Sequence, residues 1–489
     1  MTGQASKPKD VMSFFEPAIT RRIIALSYPV MLAMLTQTLI NQVDHILVGH
    51  LPLSESTPGQ TAVQISQILL WAFGGFLSSI AVGTQALTAR RIGAEDVEGA
   101  GAISTNSQLL AVLASIVVSA GTYVAAPVLF RLMSRDEAVI ALGVPFLRWR
   151  FLQITSMVVT ASLKSFFDGL GKTRVHMGVA ITMNIANFLL CIALIFGADT
   201  PGIPGVDAMH RVIVAVTGGR IPHLGVPGAG LASMLSSWLG LFLMLGWSFR
   251  SEYGRYHIRR LSNASATTMW QITKLSVPSG LATMFAMGGF GFVLFVVSKL
   301  DAASGRGIGR TVYATATSNI ISVLQLVFIS CIAYGTATAT LVSQSMGAKT
   351  YDLAEKYAYT AARIGAILFF TVGMMLTLFA TPILTFWNPD LQVVAAGAPI
   401  LKVLGFVCPL ICVALVFTQA LYGAGNTLFV MVAEGVLHFT CLVPLSWLFG
   451  FTFGLGLWGV WGALIFYITA LALVMILKFR TGTWKDIHI

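Results

Sequence analysis

Asp44 is the one carboxylate set well inside an apolar run in the first half of this 489-residue chain, and Gln37 and Asn41 precede it on the same stretch. At about 100° per residue the three side chains fall within about 60° of one another, a polar stripe on an otherwise apolar helix. A carboxylate at bilayer depth costs about 2.5–3.5 kcal/mol even on lenient scales, so such a group has a use. Kept from water, it either holds a cation or loads and unloads a proton. Asn184, Asn187 and Cys191 share a face of a later apolar run, and Ser233 adds a hydroxyl from the next. In the second half, Glu434 and His438 are spaced i, i+4 and share a face. Two readings of that pair stay open: a proton relay or cation-facing pair, or a hydrogen-bonded pair that fixes helix packing. Two ligands alone make no zinc site. Met284, Met287 and Phe290, with Asn319 and Gln325 on the following run, offer a flexible, aromatic and partly polar lining suited to varied apolar ligands.

Lipid must be the solvent for the elements that carry these groups. Apolar residues make up 56% of the chain and charged ones 10%, and the mean hydropathy is +0.82. Soluble domains carry about a quarter charged residues. Backbone groups cannot go unpaired in hydrocarbon, which leaves helices or a closed barrel. Continuous apolar runs longer than the ~18 residues of a spanning helix exclude the alternating pattern of barrel strands. The net charge of +11 does not point to nucleic acid, because the basic residues sit in short loops between spans. The five cysteines all fall inside apolar segments and read as inert, buried thiols.

Gly, Pro and charge punctuation places twelve spans near 24–49, 61–89, 104–131, 141–168, 175–197, 227–249, 270–299, 312–343, 359–386, 397–422, 428–450 and 456–478. The connection 198–225 is long and rich in Pro and Gly, with Arg211–Val216 a short strand or nothing. An even number of crossings puts both termini on one side. With that side cytoplasmic, Lys and Arg are concentrated there, as the positive-inside rule requires.

The halves repeat. Leu26-Ser27-Tyr28-Pro29 is echoed by Leu275-Ser276-Val277-Pro278, Gly83-Thr84 by Gly335-Thr336, and Gly169-Leu170-Gly171 by Gly423-Ala424-Gly425. Six spans repeated in parallel orientation, about an axis along the membrane normal, frame a central cleft of the kind found in rocking transporters. The turn Gly169-Leu170-Gly171-Lys172-Thr173 is no phosphate loop, since Phe166 replaces the glycine such a loop requires and no strand precedes it. No nucleophile–base constellation stands out, so no enzyme is expected.

Pro29 followed by Gln37 and Asp44, the Gly83-Thr84 and Gly93-Ala94 markers, the Gly169-x-Gly171-x-Thr173 turn, Asn187 ten residues before Gly197, and Gly225-Val-Pro-Gly228-Ala-Gly-Leu-Ala232 together resemble multidrug and toxic compound extrusion (MATE) transporters. The likeness runs through nearly the whole chain. It implies an all-α integral membrane fold of twelve helices in two six-helix lobes related by pseudo-twofold symmetry. It also implies alternating access and export of amphipathic, often cationic compounds in exchange for protons or sodium. By resemblance, Asp44, Asn187 and Ser233 fall on the family's first-helix aspartate, fifth-helix asparagine and sixth-helix threonine. Cys191 stands where some members have a second carboxylate, and that loss of a hard, charged ligand favours protons over sodium. Val293 lies opposite Asp44 in the repeat, and Ala286 and Ile411 replace acids that one branch carries, so the coupling chemistry is expected in the first lobe. Lys164 is expected to snorkel to the interface, with an ion pair to Asp44 as the alternative.

The expected layout is a cytoplasmic tail at 1–23, a first lobe at 24–249, a linker at 250–269, a second lobe at 270–478 and a tail at 479–489. The chain is expected in the inner membrane as a monomer, with lipid and small amphipathic molecules as partners, no nucleic acid, and no cofactor beyond the coupling ion. The alternative within the same superfamily is a flippase for lipid-linked oligosaccharides. Such a protein would line its cleft with arginines; basic residues inside the spans are scarce, and Arg148 and Arg150 near the outer end of span four keep that alternative open.

Overall fold

The computed structural model describes residues 16–487, apart from positions 135, 204, 259, 304–311 and 389 and the side chains of 39–44, 53, 54 and 57. Among the described residues there are no strands, and twelve helices are long and apolar enough to cross a bilayer. The first runs Pro17–Gly49. The second is built from Leu53–Leu70 and Ile80–Gly93 joined through a π-helical turn at Trp71–Gly75. The remaining spans of the first lobe are Val97–Met133, Glu137–Gly169, Arg174–Phe196 and Val226–Ser248. The second lobe follows with Ala266–Ala303, Val312–Gly347, Tyr351–Leu378, Leu391–Gly423, Thr427–Thr452 and Gly456–Arg480. Several helices extend past the expected span limits, the third reaching Met133 and the eighth Gly347. The seventh begins at Ala266, inside the connector.

The long connection between spans five and six departs from expectation. Val206–Thr217 is neither strand nor coil but a helix, set between the Pro- and Gly-rich flanks that hid it. Its buried side seats His210, whose ring bonds the carbonyl of Gly197 at 3.1 Å, while Val212 and Val216 face outward.

Pro29 and Pro278 sit inside the first and seventh helices at equivalent points of the repeat, each removing one rung of the helical ladder. The pseudo-twofold relation is plainest where the lobes meet. A Cβ on Gly93 of span two would overlap the carbonyl oxygen of Gln344 in span eight, and a Cβ on Gly347 would overlap that of Arg90. Arg90 and Gln344, like Gly93 and Gly347, are repeat equivalents, so the contact is the reciprocal one that a twofold axis generates. Only glycine lets the two backbones approach so closely.

The first and last described residues, Glu16 and Ile487, lie at this face of the bundle, called here the terminal face. The lobes are bonded to each other in the half of the molecule next to it. The outer half of span two, Leu53–Leu70, packs within its own lobe.

Candidate functional site

In the first lobe, spans five and six bring together the polar side chains that shared a face in the sequence. Asn187 Nδ2 donates to Ser233 Oγ at 3.3 Å, with both residues buried. Asn187 Oδ1 and Asn184 Nδ2 are buried without hydrogen-bond partners, and Cys191 is fully enclosed one turn further along. Unfilled donors and acceptors in an apolar setting are costly. Span one packs against span five here. Gln37 is exposed. Asn41 and Asp44 lie along the first helix, and their side chains are outside the described residues.

Lys164 does not snorkel. Its Nζ lies 3.2 Å from Asp168 Oδ2, one turn on in the same helix, and the carboxylate is only 1% exposed. Burial at a helix end arises because the linker aromatics Tyr253 and Tyr256 cover Phe167 and Phe166, while span eight closes the other side. Asp44 is the acid expected well inside a span of this lobe; Asp168, at the end of span four, is buried as well. The i, i+4 spacing of Lys164 and Asp168 was the signal available.

A third polar group, also unanticipated, closes the seam between lobes. Gln85 Nε2, in span two, reaches the Thr336 carbonyl at 2.9 Å and Thr340 Oγ1 at 2.7 Å, both in span eight. Thr340 in turn donates to the carbonyl of Asp168 at 3.2 Å. Ser343 Oγ donates to the Ala86 carbonyl at 2.7 Å, and Gln344 Nε2 to that of Gly169 at 2.9 Å. At the edge of the seam, Arg90 donates to the carbonyls of Ala424 and Ile487. Arg22 donates to Tyr357 and Gln344. These bonds seal one end of the interlobe space.

In the second lobe, Glu434 and His438 do not form the side-chain pair that their spacing suggested. A π-helical turn begins at His438, and the imidazole bonds the backbone carbonyl of Glu434 at 2.7 Å. Tyr467 of span twelve contacts the same ring nitrogen at 3.3 Å. On span seven, Met287 is 61% exposed and continues the stripe Ser276–Gly280 that touches span two lower down, so it faces the space between the lobes. Met284 and Gln325 are also exposed, Phe290 packs against the second-lobe core, and Asn319 Nδ2 is buried without a partner. Arg150 is buried and donates to Gln67 at 2.9 Å, and Arg148 lies over the Tyr123 ring. Both arginines are engaged within the first lobe.

Two pseudo-symmetric six-helix lobes, sealed against each other at one end and holding polar pockets within, define the chain as a membrane transport fold. The sequence model of the MatE family matches residues 29–193 and 307–448, and the chain belongs to that family. Among relatives, the probable multidrug resistance protein NorM of Thermotoga maritima is 23% identical over 475 residues, covering 96% of this chain and 94% of that one. The multidrug resistance protein MdtK of Yersinia pseudotuberculosis is 22% identical over 476 residues, covering 94% and 95%. Among solved structures, a multidrug resistance MATE family transporter in an outward-facing conformation superposes with a TM-score of 0.83 at 20% identity, covering 96% of this chain and 97% of that one.

Proposed function

We propose that this protein is a multidrug efflux antiporter of the inner membrane, exporting amphipathic cationic compounds in exchange for protons. The single observation that supports this most is the seam. Two repeat-related lobes are locked near the terminal face, through Gly93, Gly347, Gln85 and Gln344, as one end state of an alternating-access cycle requires. With the termini cytoplasmic, that state is closed to the cytoplasm and open outward. Asp44 is the first-lobe coupling group, with Gln37, Asn41, Asn187 and Ser233 as its polar surroundings. Proton uptake there rearranges hydrogen bonds with the unsatisfied amides of Asn184 and Asn187. The thiol of Cys191, in place of a second carboxylate, leaves too few hard oxygen ligands for sodium. Met287 and its neighbours on span seven supply the adaptable apolar wall for substrate.

A flippase for anionic lipid-linked sugars would need free guanidinium groups on the cleft wall. Engagement of Arg148 and Arg150 inside the first lobe speaks against it. Dye efflux from a pump-deficient host, wild type against Asp44→Asn, at several pH and sodium settings, tests the reading. Efflux that follows the proton gradient and disappears in the variant is expected. Efflux driven by sodium at constant pH would overturn the coupling, and restored envelope polysaccharide without dye efflux would favour the flippase.

A further inference from the structure

The second lobe contains a carboxylate with no counter-charge. On span eleven, Leu428, Val432, Val436 and Phe439 form the exposed stripe, and Glu434, half-buried, lies on the opposite side of the helix. Among the described residues its carboxylate makes no hydrogen bond or ion pair. The first lobe treats its own buried acid differently. Asp168, at the end of span four, is neutralised by Lys164, whereas its repeat equivalent at the end of span ten is Tyr422. An unpaired carboxylate within a membrane bundle sheds its charge by taking up a proton or a cation.

The neighbours of Glu434 decide between those guests. His438 Nδ1 lies 2.7 Å from a carbonyl oxygen, which can only accept, so Nδ1 carries the hydrogen and the neutral ring presents Nε2 as a bare acceptor. That Nε2 is buried without a partner. The ring is wedged between Gly289 of span seven, where a methyl would overlap it, and Tyr467 at a centroid distance of 4.5 Å. Since Nδ1 supplies the hydrogen, Tyr467 accepts there, and its own O–H is left to donate elsewhere. Tyr422 lies at the end of span ten, which packs against span eleven, and it lines a cavity of about 10 Å³ at the seam, beside Gln85 and Gln419. That is room for a single water and for no organic cation. Among the described residues, no Lys, Arg, Asp or Glu of spans seven, ten or twelve forms an ion pair with Glu434.

We propose that Glu434 is a second proton-exchange site, placed in the lobe that lacks an equivalent of Asp44 and connected to the seam through Tyr422. In the exchange step the Tyr422 hydroxyl passes its proton to the seam water and takes the Glu434 proton in return, leaving Glu434 as a carboxylate. The site rests on the antiport reading for its purpose, since it makes each lobe carry a proton.

Infrared difference spectroscopy of the purified protein during a pH titration tests the site without any substrate. Wild type is expected to show a titrating carboxylic acid C=O band that is absent from Glu434→Gln and retained in Asp44→Asn. Glu434→Asp, which keeps the acid if the glutamine variant fails to fold, should shift the band without abolishing it. Tyr422→Phe should keep the band and slow its exchange in deuterium oxide at least tenfold. In proteoliposomes, Glu434→Gln should export dye with one proton fewer per cycle. Identical titrating bands in wild type and Glu434→Gln would overturn the proposal. No dye efflux by wild type, with the band still lost in Glu434→Gln, would defeat the antiport reading and leave the site standing.

Discussion

Replacing Gln85 by Leu isolates the energetics of the seam. The side chain is of similar volume, and the change removes two interlobe hydrogen bonds, to the Thr336 carbonyl and to Thr340 Oγ1. Each is worth about 0.5–1.5 kcal/mol net, so the sealed state should lose about 1–3 kcal/mol relative to the open one. The Thr336 carbonyl keeps a second partner in Thr340, which places its share toward the lower end. Thr340 also relays the bond to Asp168 in span four, so the loss reaches a third helix. At 1.4 kcal/mol per decade, the population open at the terminal face should rise about 5- to 150-fold.

A cysteine placed at Ala339, which lines the seam cavity beside Gln85, reports this opening directly. When opening and closing are fast relative to labelling, the maleimide labelling rate tracks the open fraction. The native cysteines are removed first, Cys441 in particular, because it alone is not fully buried. An unchanged or slower labelling rate in Gln85→Leu would refute the assignment of the seam as a breakable gate. Loss of efflux without faster labelling would point to a defect elsewhere.

Gly93→Ala and Gly347→Ala should behave as twins, each forcing a methyl onto the partner helix's carbonyl, costing the closed seam about 1–3 kcal/mol and reducing efflux. Unequal effects on Ala339 labelling would contradict the pseudo-twofold contact. Lys164→Met should lower the melting temperature sharply, since stripping one partner from a buried ion pair costs about 3–5 kcal/mol, and the double variant Lys164→Met/Asp168→Asn should recover most of the loss. A double variant no more stable than the single would show that the pair is not what holds this corner. At the terminal face, the hydrogen bond and then the charge of Lys172 hold the exposed Glu252 carboxyl below its ordinary value of 4.5. A lowered folded value means that any stabilisation is present at neutral pH and is lost as the pH falls through that value. Melts of Glu252→Gln against wild type at pH 7 in low and high salt should nonetheless nearly coincide, because exposed pairs contribute little.

The spans were legible because hydrocarbon admits few solutions: a run of apolar residues between charged turns has to be a helix, and all twelve appear. Asn187 and Ser233 were legible as neighbours because helical spacing puts Asn187 on the face that meets the next span. The departures share a cause. Reading Glu434 and His438 as a side-chain pair assumes that the two side chains meet, yet the imidazole bonds the Glu434 backbone carbonyl instead, just where a π-helical turn begins. Snorkelling of Lys164 assumes that a residue near a helix end meets water, yet the linker and the other lobe cover that end. Gln85 and Thr340 are 255 positions apart and bond only because a twofold axis runs between their helices, a relation that no local pattern encodes.

The symmetry of the seam and the asymmetry of its ionisable groups bear on how such a protein switches. The glycines that let the lobes close are repeated faithfully, while the charged chemistry is not: the first lobe has Asp44 and a neutralised Asp168, the second an unpaired Glu434 beside Tyr422. Moving a two-state equilibrium from 1:99 to 99:1 takes about 5.5 kcal/mol of differential binding. A single carboxylate supplying all of it must bind its proton about ten-thousandfold more tightly in one state than the other. Two carboxylates, one per lobe, divide the requirement to about a hundredfold each, within reach of modest changes in hydrogen bonding and water access. Seam bonds worth about 1 kcal/mol each are of the right size to be made and broken by such a swing. A stronger seal, for instance a buried ion pair across the lobes, would hold the closed state against it. A neutral amide and hydroxyl relay through Gln85 and Thr340 is therefore the chemistry a switch of this size calls for, and an engineered salt bridge at positions 85 and 340 should lock the transporter closed at the terminal face.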